Sequence, residues 1–418
     1  NISATALAKE ESKPITLAAY DLSKVPALLS SVDELAQAMS GINQKVVARA
    51  RSHTQAFESV YGDDDPSPYI DLGNFAKLIK NESTSPKVSS ASDKVRAAIK
   101  DAVIEEKHGS DKKGAMGVTI YFPNSALFKT DGTDYKTYVE VDDRFSQESL
   151  WPGFLNFHYT GQPLSQTSKP VAPEKVSGPG AETLTIDDIE LSADSIDVDE
   201  VTTLSTNVNG DSVAYIYLFT GLVEDESGAI QVLDIDYIDS DDTLDVDGVV
   251  YPDWGEDRPV GVEIDWSPVQ FAVSNGTTDA VALLEPQVYA ADLEGTIYVT
   301  NAIYTFADTG TQHYARLFFN GEGQLTRIMG FADLEDTGPQ REIKPKKGDS
   351  LTFLDRWIEV DEKGEVQINE YEGETLKIGS KPLTWEQIDA PSGNYVVGFL
   401  AEDMDGNEYS SYVDVNVK

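Results

Sequence analysis

The chain has 418 residues, 40% of them hydrophobic and 9% aromatic, enough for two to four domains with cores of their own. Its 73 acidic side chains against 32 basic ones give a net charge of −41, a field that repels nucleic acid and anionic lipid. The absence of cysteine removes disulfides as staples and leaves the compartment unread from redox usage, and no apolar run approaches the roughly 20 residues that cross a bilayer.

The charge is unevenly spread. Residues 1–162 hold 18 basic and 22 acidic side chains, a net of −4, which leaves 14 and 51, a net of −37, for residues 163–418. The first residue is Asn1 rather than Met, which leaves room for a leader, a pro-segment or a whole domain removed ahead of it.

In chain order, residues 15–20 form a β-capable apolar run closed by Asp21. Residues 23–39 then place Val25, Leu28, Leu29, Val32, Leu35, Ala36 and Met39 at spacings of three and four, which predicts a strand followed by an amphipathic helix. Asp21 or Ser23 can cap that helix, and Pro26 falls in its first turn, where the missing N–H costs little. A second helix is predicted over 43–60, ended by the turn-rich residues 62–68. Asp71 opens a short helix through Leu78, and another runs over 89–106 with Val95, Ala98, Ile99, Ala102 and Val103 on one face, before a charged loop at 108–113. Residues 118–122 are continuously apolar and predict a buried, parallel strand. Two strands with intervening helices make part of an αβα sandwich; further strands are expected upstream of Asn1.

Residues 161–183 turn to Pro, Ser, Gly, Thr and Lys, the chemistry of a linker. Beyond it, short alternating β-rich runs with turn signals between them predict an all-β region. It is expected to hold two sandwich modules, 184–300 and 301–418, the second with an immunoglobulin-like ending.

Four stretches in sequence carry a resemblance: Leu17-Ala18-Ala19-Tyr20-Asp21-Leu22-Ser23-Lys24-Val25, Tyr69-Ile70-Asp71-Leu72-Gly73-Asn74-Phe75-Ala76, Gly114-Ala115-Met116-Gly117-Val118-Thr119-Ile120-Tyr121-Phe122-Pro123, and the closing Phe145-Ser146-Gln147-Glu148-Ser149-Leu150-Trp151-Pro152-Gly153-Phe154-Leu155. In content and order they resemble the second half of a clostripain-like cysteine peptidase domain, over about residues 13–160. The resemblance implies a caspase-like α/β fold, a His–Cys dyad at the carboxyl edge of the sheet, hydrolysis after basic residues, and a secreted enzyme whose larger members carry extensions like the β-rich remainder here. It also implies that both dyad residues lie on the amino-terminal side of residue 15. Neither the His motif nor the Cys motif has a counterpart in this sequence, so no catalytic residue is carried over. Residues 1–160 are thus expected to be the carboxyl-terminal half of the domain, partnered by an upstream chain of the same precursor that bears the dyad. The alternative is a non-enzymatic, acidic cell-surface binding or adhesion protein with a degenerate peptidase remnant.

Asp21, at the end of its strand, is the candidate wall of a pocket for a substrate Arg or Lys, with helix capping as its plain alternative. His53, His108, His158 and His313 show no ligand spacing, and structural or exposed roles are expected for all four. The run Asp234, Asp236, Asp239, Asp241, Asp242, Asp245, Asp247, Gly248 could hold calcium or be a solvated strand face and hairpin. Asp403-Met404-Asp405-Gly406-Asn407 resembles a calcium loop without its downstream bidentate Glu, and reads better as a hairpin turn. Calcium is therefore the one cofactor considered, and no metal site is assigned. Trp254, Trp266, Trp357 and Trp385 are read as core anchors rather than a sugar-stacking face.

Overall fold

The computed structural model describes residues 16–57, 67–130, 135–165, 172, 175–255, 258–290, 292–332, 334, 341–360 and 366–418. The first part is a mixed α/β unit. β1 (Thr16–Tyr20) is followed by a 3₁₀ turn at Leu22–Lys24, α1 (Val25–Met39) and α2 (Gln44–Ser52). Then come β2 (Tyr69–Asp71), α3 (Leu72–Glu82), α4 (Pro86–Ala102), β3 (Val103–His108) and β4 (Thr119–Tyr121), closed by α5 (Ser125–Lys129), α6 (Tyr135–Val141), α7 (Asp143–Glu148) and α8 (Trp151–Thr160).

The helix starts follow from side-chain caps. Asp21 accepts from the Ser23 amide, Asn43 from Lys45, Asp71 from Asn74 and Asn124 from Leu127, each satisfying a backbone N–H that a helix start leaves unpaired. α1 turns Val32, Leu35, Ala36 and Met39 inward. There they meet Phe75, Ile79, Val95, Ile99, Phe122, Trp151 and Phe154 in one core. Trp151 and Phe154 pack edge-on and tilted around Phe122.

Three expectations are corrected here. Residues 118–122 were expected to form a parallel strand, but β4 pairs antiparallel with β2, Tyr69 opposite Tyr121; a continuous apolar run reports burial on both faces and carries no information on strand direction. The helix expected to reach residue 106 ends at Ala102. Its last stretch is β3, antiparallel to β1, because the β-branched Val103 and Ile104 favour extended backbone. The helix expected to reach residue 60 stops at Ser52, after which Ala56 bridges Ile70; residues 58–60 and most of the turn at 62–68 lie outside the described residues.

The remainder is strand after strand: β5 (Thr185–Ile186), β6 (Glu190–Leu191), β7 (Ser195–Ile196), β8 (Thr202–Asn209), β9 (Val213–Val223), β10 (Ile230–Tyr237), β11 (Asp242–Val246), β12 (Val249–Asp253), β13 (Val260–Trp266), β14 (Val269–Ser274), β15 (Asp279–Val281) and β16 (Glu285–Val288). They continue as β17 (Ile297–Thr305), β18 (Gln312–Asn320), β19 (Leu325–Gly330), β20 (Arg341–Glu342), β21 (Ser350–Val360), β22 (Val366–Lys377), β23 (Thr384–Asp389), β24 (Gly393–Asp403) and β25 (Glu408–Val417). One sheet runs β20-β19-β18-β17-β21-β10-β9-β24-β25-β7, with β16 on β17 and β22 on β21.

Two smaller sheets cover this large one. Leu204, Val208, Val262 and Trp266 of β8 and β13 meet Ile216, Tyr395, Val397 and Phe399 in one core. Val273, Ala280 and Leu383 meet Ala302, Tyr304, Leu317, Phe319 and Phe353 in another. The division expected at residue 300 falls inside β17. The cores instead draw on residues 184–266 with 390–417, and on 273–383, because β24 returns to pair with β9 along its length. No helix among the described residues is long and apolar enough to cross a membrane.

Candidate functional site

The edge of the α/β unit that bears Asp21 is apolar and open. β1 pairs with β3 and with no other strand among the described residues. Leu17 is 54% exposed, Leu22 75% and Ile104 71%, with Tyr20 and Val25 also open to solvent. β-branched and long aliphatic side chains at an unpaired strand edge are what a buried strand looks like when its neighbour is absent. Asp21 follows directly. Its carboxylate accepts from the Ser23 hydroxyl at 2.7 Å and the Ser23 amide at 3.0 Å, bonds that hold it below the usual carboxylate range, hydroxyl first and amide second.

Behind this edge the chain is fixed by Asp71, which is fully buried. One carboxylate oxygen caps α3 through the Asn74 amide at 2.7 Å, and the other accepts from Met116 at 2.8 Å and Gly117 at 2.9 Å. The Tyr20 hydroxyl donates to the Gly117 carbonyl. Gly114 and Gly117 adopt φ of +87° and +82°. At Gly117 a Cβ would meet Ala18 and Glu106 at 2.8 Å, so the loop can follow this path beside β1 only without a side chain.

Two acidic hairpin tips of the β-rich part reach the same unit. Asp247, between β11 and β12, sits at φ +55°. It accepts from Asn74 Nδ2 at 2.8 Å and from Lys77 Nζ at 2.6 Å and 2.8 Å. Tyr251 of the same hairpin lies 4.5 Å from the His53 ring. Asp405, in the turn joining β24 to β25, is buried with Arg51 at 3.7 Å and His158 at 3.8 Å. The neighbouring Met404 carbonyl accepts from Arg51 at 2.7 Å, and the Asp405 carbonyl accepts from Ser125. Both Asp405 carboxylate oxygens, Arg51 Nε and His158 Nε2 lack hydrogen-bond partners among the described residues, so only attraction across the gap opposes their desolvation.

The histidines behave as packing groups or surface groups. Burial, with Arg49 and Arg51 nearby, pushes His53 down to about 4. Burial also lowers His158, against the opposite pull of Asp405. His108 pairs with Glu106 at 2.7 Å, and His313 bonds the Phe331 carbonyl.

The acidic run at 234–248 does not converge on one point. Asp234 and Asp236 lie on β10, Asp242 and Asp245 on β11, and Asp247 at its tip. Asp236 accepts from Tyr298 at 2.9 Å, while burial first, and then Asp236, pushes the Asp234 carboxyl up to about 8. Asp403 accepts from the amides of Asp405 and Asn407, and Gly406 at φ +74° completes the hairpin turn. No group of three or more His, Asp or Glu side chains among the described residues is arranged to hold a metal.

Trp266, Trp254 and Trp385 each donate an indole N–H at 3.0 Å, to Thr220, Ala214 and Asn320 respectively. Trp357 lies in the middle of β21. Asp71 is legible in the sequence only as a helix start, and nothing there marks Arg51 or Asn74; the dipeptide Asp247-Gly248, between two alternating runs, is a hairpin signal in its own right.

An α/β unit whose apolar edge is unpaired among the described residues, with no thiol and with acidic hairpin tips of a multi-stranded region docked on it, is the class of protein these features define. Residues 3–158 match the model of the clostripain family. The chain therefore contains a region similar to clostripain-like peptidases, followed by strand-rich material. No curated protein matches it.

Proposed function

We propose that this chain is the non-nucleophilic part of a secreted clostripain-like cysteine endopeptidase, with the His–Cys dyad on polypeptide that precedes it in the same precursor. The observation that carries this reading is the open edge of β1 and β3. Burying Leu17, Leu22 and Ile104 against a neighbouring strand would remove apolar surface at roughly 25 cal/mol per Å², and would pair the free backbone of β1. In the assembled enzyme a His-activated thiolate of the upstream polypeptide attacks the scissile carbonyl and forms an acyl-enzyme. This chain supplies one wall of the cleft.

Asp21 is the proposed pocket acid. Its bonds to Ser23 keep it ionised at neutral pH, as pairing with a substrate Arg or Lys requires. The test is reconstitution: co-expression with the preceding segment of the precursor, followed by assay on Arg-, Lys- and Ala-terminated peptide substrates. The expected result is cleavage after Arg and Lys that raises KM with little change in kcat when Asp21→Asn is introduced. Cleavage that ignores the residue before the bond, or an unchanged KM in Asp21→Asn, would remove Asp21 from the pocket. A complex that forms but does not cleave would remove the peptidase reading.

A further inference from the structure

A second open edge lies far along the chain and is independent of the peptidase reading. β21 and β22 form an antiparallel hairpin from Ser350 opposite Lys377 to Val360 opposite Val366. The other side of β21 is occupied, by β17 at Ser350–Phe353 and by β10 at Trp357 and Ile358. Among the described residues β22 pairs with β21 alone. Its C-terminal half is partly covered where Val281 donates to Glu374 at 2.9 Å. From Val366 to Glu372 the backbone has no second strand partner among the described residues.

The side chains along this stretch are unusual for an unpaired edge. Val360 stands opposite Val366, and Ile358 opposite Ile368; Val366 is 64% exposed and Ile368 66%, with Val360 equally open. Soluble proteins shield such edges with charge, bulges or covering loops, because a long free edge with exposed β-branched residues recruits another strand. Here the shielding is charge of one sign. The described residues 350–360 and 366–377 carry 5 acidic and 2 basic side chains, a net of −3. One of those two bases, Arg356, is already paired with Glu285 and faces Glu370.

That charge decides between occupants. Two copies of the chain pairing edge to edge would set the exposed Glu372 and its neighbours against carboxylates of the other copy, and like charges directly opposite are destabilising. A strand carrying Lys or Arg meets the same carboxylates with attraction, and its apolar side chains meet Val360, Val366 and Ile368. We propose that β22 is a docking edge for an extended basic polypeptide segment, which adds as a further strand beside Val366–Glu372. Main-chain hydrogen bonds supply affinity, while the aliphatic pairs and glutamates select an alternating apolar–basic pattern.

The experiment is calorimetric titration of the full chain with a short synthetic peptide alternating Val and Lys. Three comparisons accompany it: a Val–Glu peptide, a Val–Lys peptide N-methylated at alternate residues, and the protein variant Val366→Lys/Ile368→Lys. Binding of the Val–Lys peptide alone, weakened at least about tenfold by N-methylation and by the double variant, is the expected result. N-methylation leaves charge and protein unchanged, so it tests strand addition even if the variant folds poorly. Equal binding of the N-methylated peptide would reduce the interaction to general attraction by an acidic chain and overturn the proposal. So would the absence of binding up to about 1 mM, or a concentration-dependent dimer of the chain alone that the double variant abolishes, which would make a second copy the occupant.

Discussion

The α/β unit and the strand-rich region solve the same problem, hiding apolar surface, to different degrees. In the strand-rich region the large sheet is covered by smaller sheets around two closed cores, and its surplus acid is spread over hairpins and edges. The nearly neutral α/β unit closes one core around Phe75, Phe122 and Trp151 but leaves β1 and β3 without a further strand among the described residues. The contrast teaches that exposed aliphatic residues mean different things in the two places. Beside a complete core they lie at an edge that charge protects, and beside a two-stranded ribbon they fit the proposed docking of a neighbouring strand.

The joint between the two regions gives the largest expected effect. Replacing Asp405 by Ala removes the buried partner of Arg51 and leaves that charge uncompensated, a change that costs about 3–5 kcal/mol. Urea unfolding followed by intrinsic fluorescence should show both regions losing stability together, because the tip serves both. A loss below about 1 kcal/mol would mean that the joint holds little.

Acid should separate the regions. His53 is held neutral in the fold at a pKa of about 4 against 6.5 when unfolded. Its contribution is complete above pH 6.5 and is lost as pH falls toward about 4, at most about 3 kcal/mol. Asp234 runs the other way, binding its proton near pH 8 in the fold against 3.8 unfolded. Its contribution is complete below pH 3.8 and is lost as pH rises through about 8. Hydrogen exchange resolved by region should therefore show the α/β unit weakening and β10 strengthening between pH 8 and pH 5. Asp234→Asn, which mimics the protonated acid, should stabilise β10 at the upper pH and be neutral at the lower.

At the open edge, Leu17→Lys with Ile104→Lys should leave the isolated chain as stable as before, since both side chains are exposed. The same pair should reduce the activity of the reconstituted peptidase by about 100-fold through misplaced substrate groups. An unchanged rate would separate the edge from function. The smallest effect belongs to Asp247→Asn, which keeps a side chain suited to the left-handed backbone but gives up the ion pair with half-exposed Lys77. A loss of about 0.5 kcal/mol in thermal unfolding is expected.

Much of this was legible in the sequence. The α1 core face was, because Val32, Leu35, Ala36 and Met39 follow the helical period. So were the caps at Asp21 and Asp71 and the change of material after residue 161. Strand direction was not, because residues 118–122 are apolar whichever way their neighbour runs. The layout of the β-rich part was hidden for a related reason: nothing local to β24 announces that it pairs with β9 across nearly two hundred residues. β8 escaped notice because its Thr and Asn side chains dilute the alternation that buries Leu204 and Val208. The Arg51–His158–Asp405 cluster joins three separated segments, and only their meeting makes any of the three residues noteworthy. Asp21 was legible as a cap; its place in a substrate pocket rests on the assembled enzyme.

The most direct measurement is native mass spectrometry, followed by denaturing mass spectrometry, of the protein purified from cells that express its full precursor. The account predicts that this chain travels with a second, cysteine-bearing polypeptide, and that dissociating the pair increases hydrogen exchange at Thr16–Tyr20 and Val103–His108. A chain that purifies alone, with the same exchange at that edge before and after denaturant treatment and refolding, would contradict it.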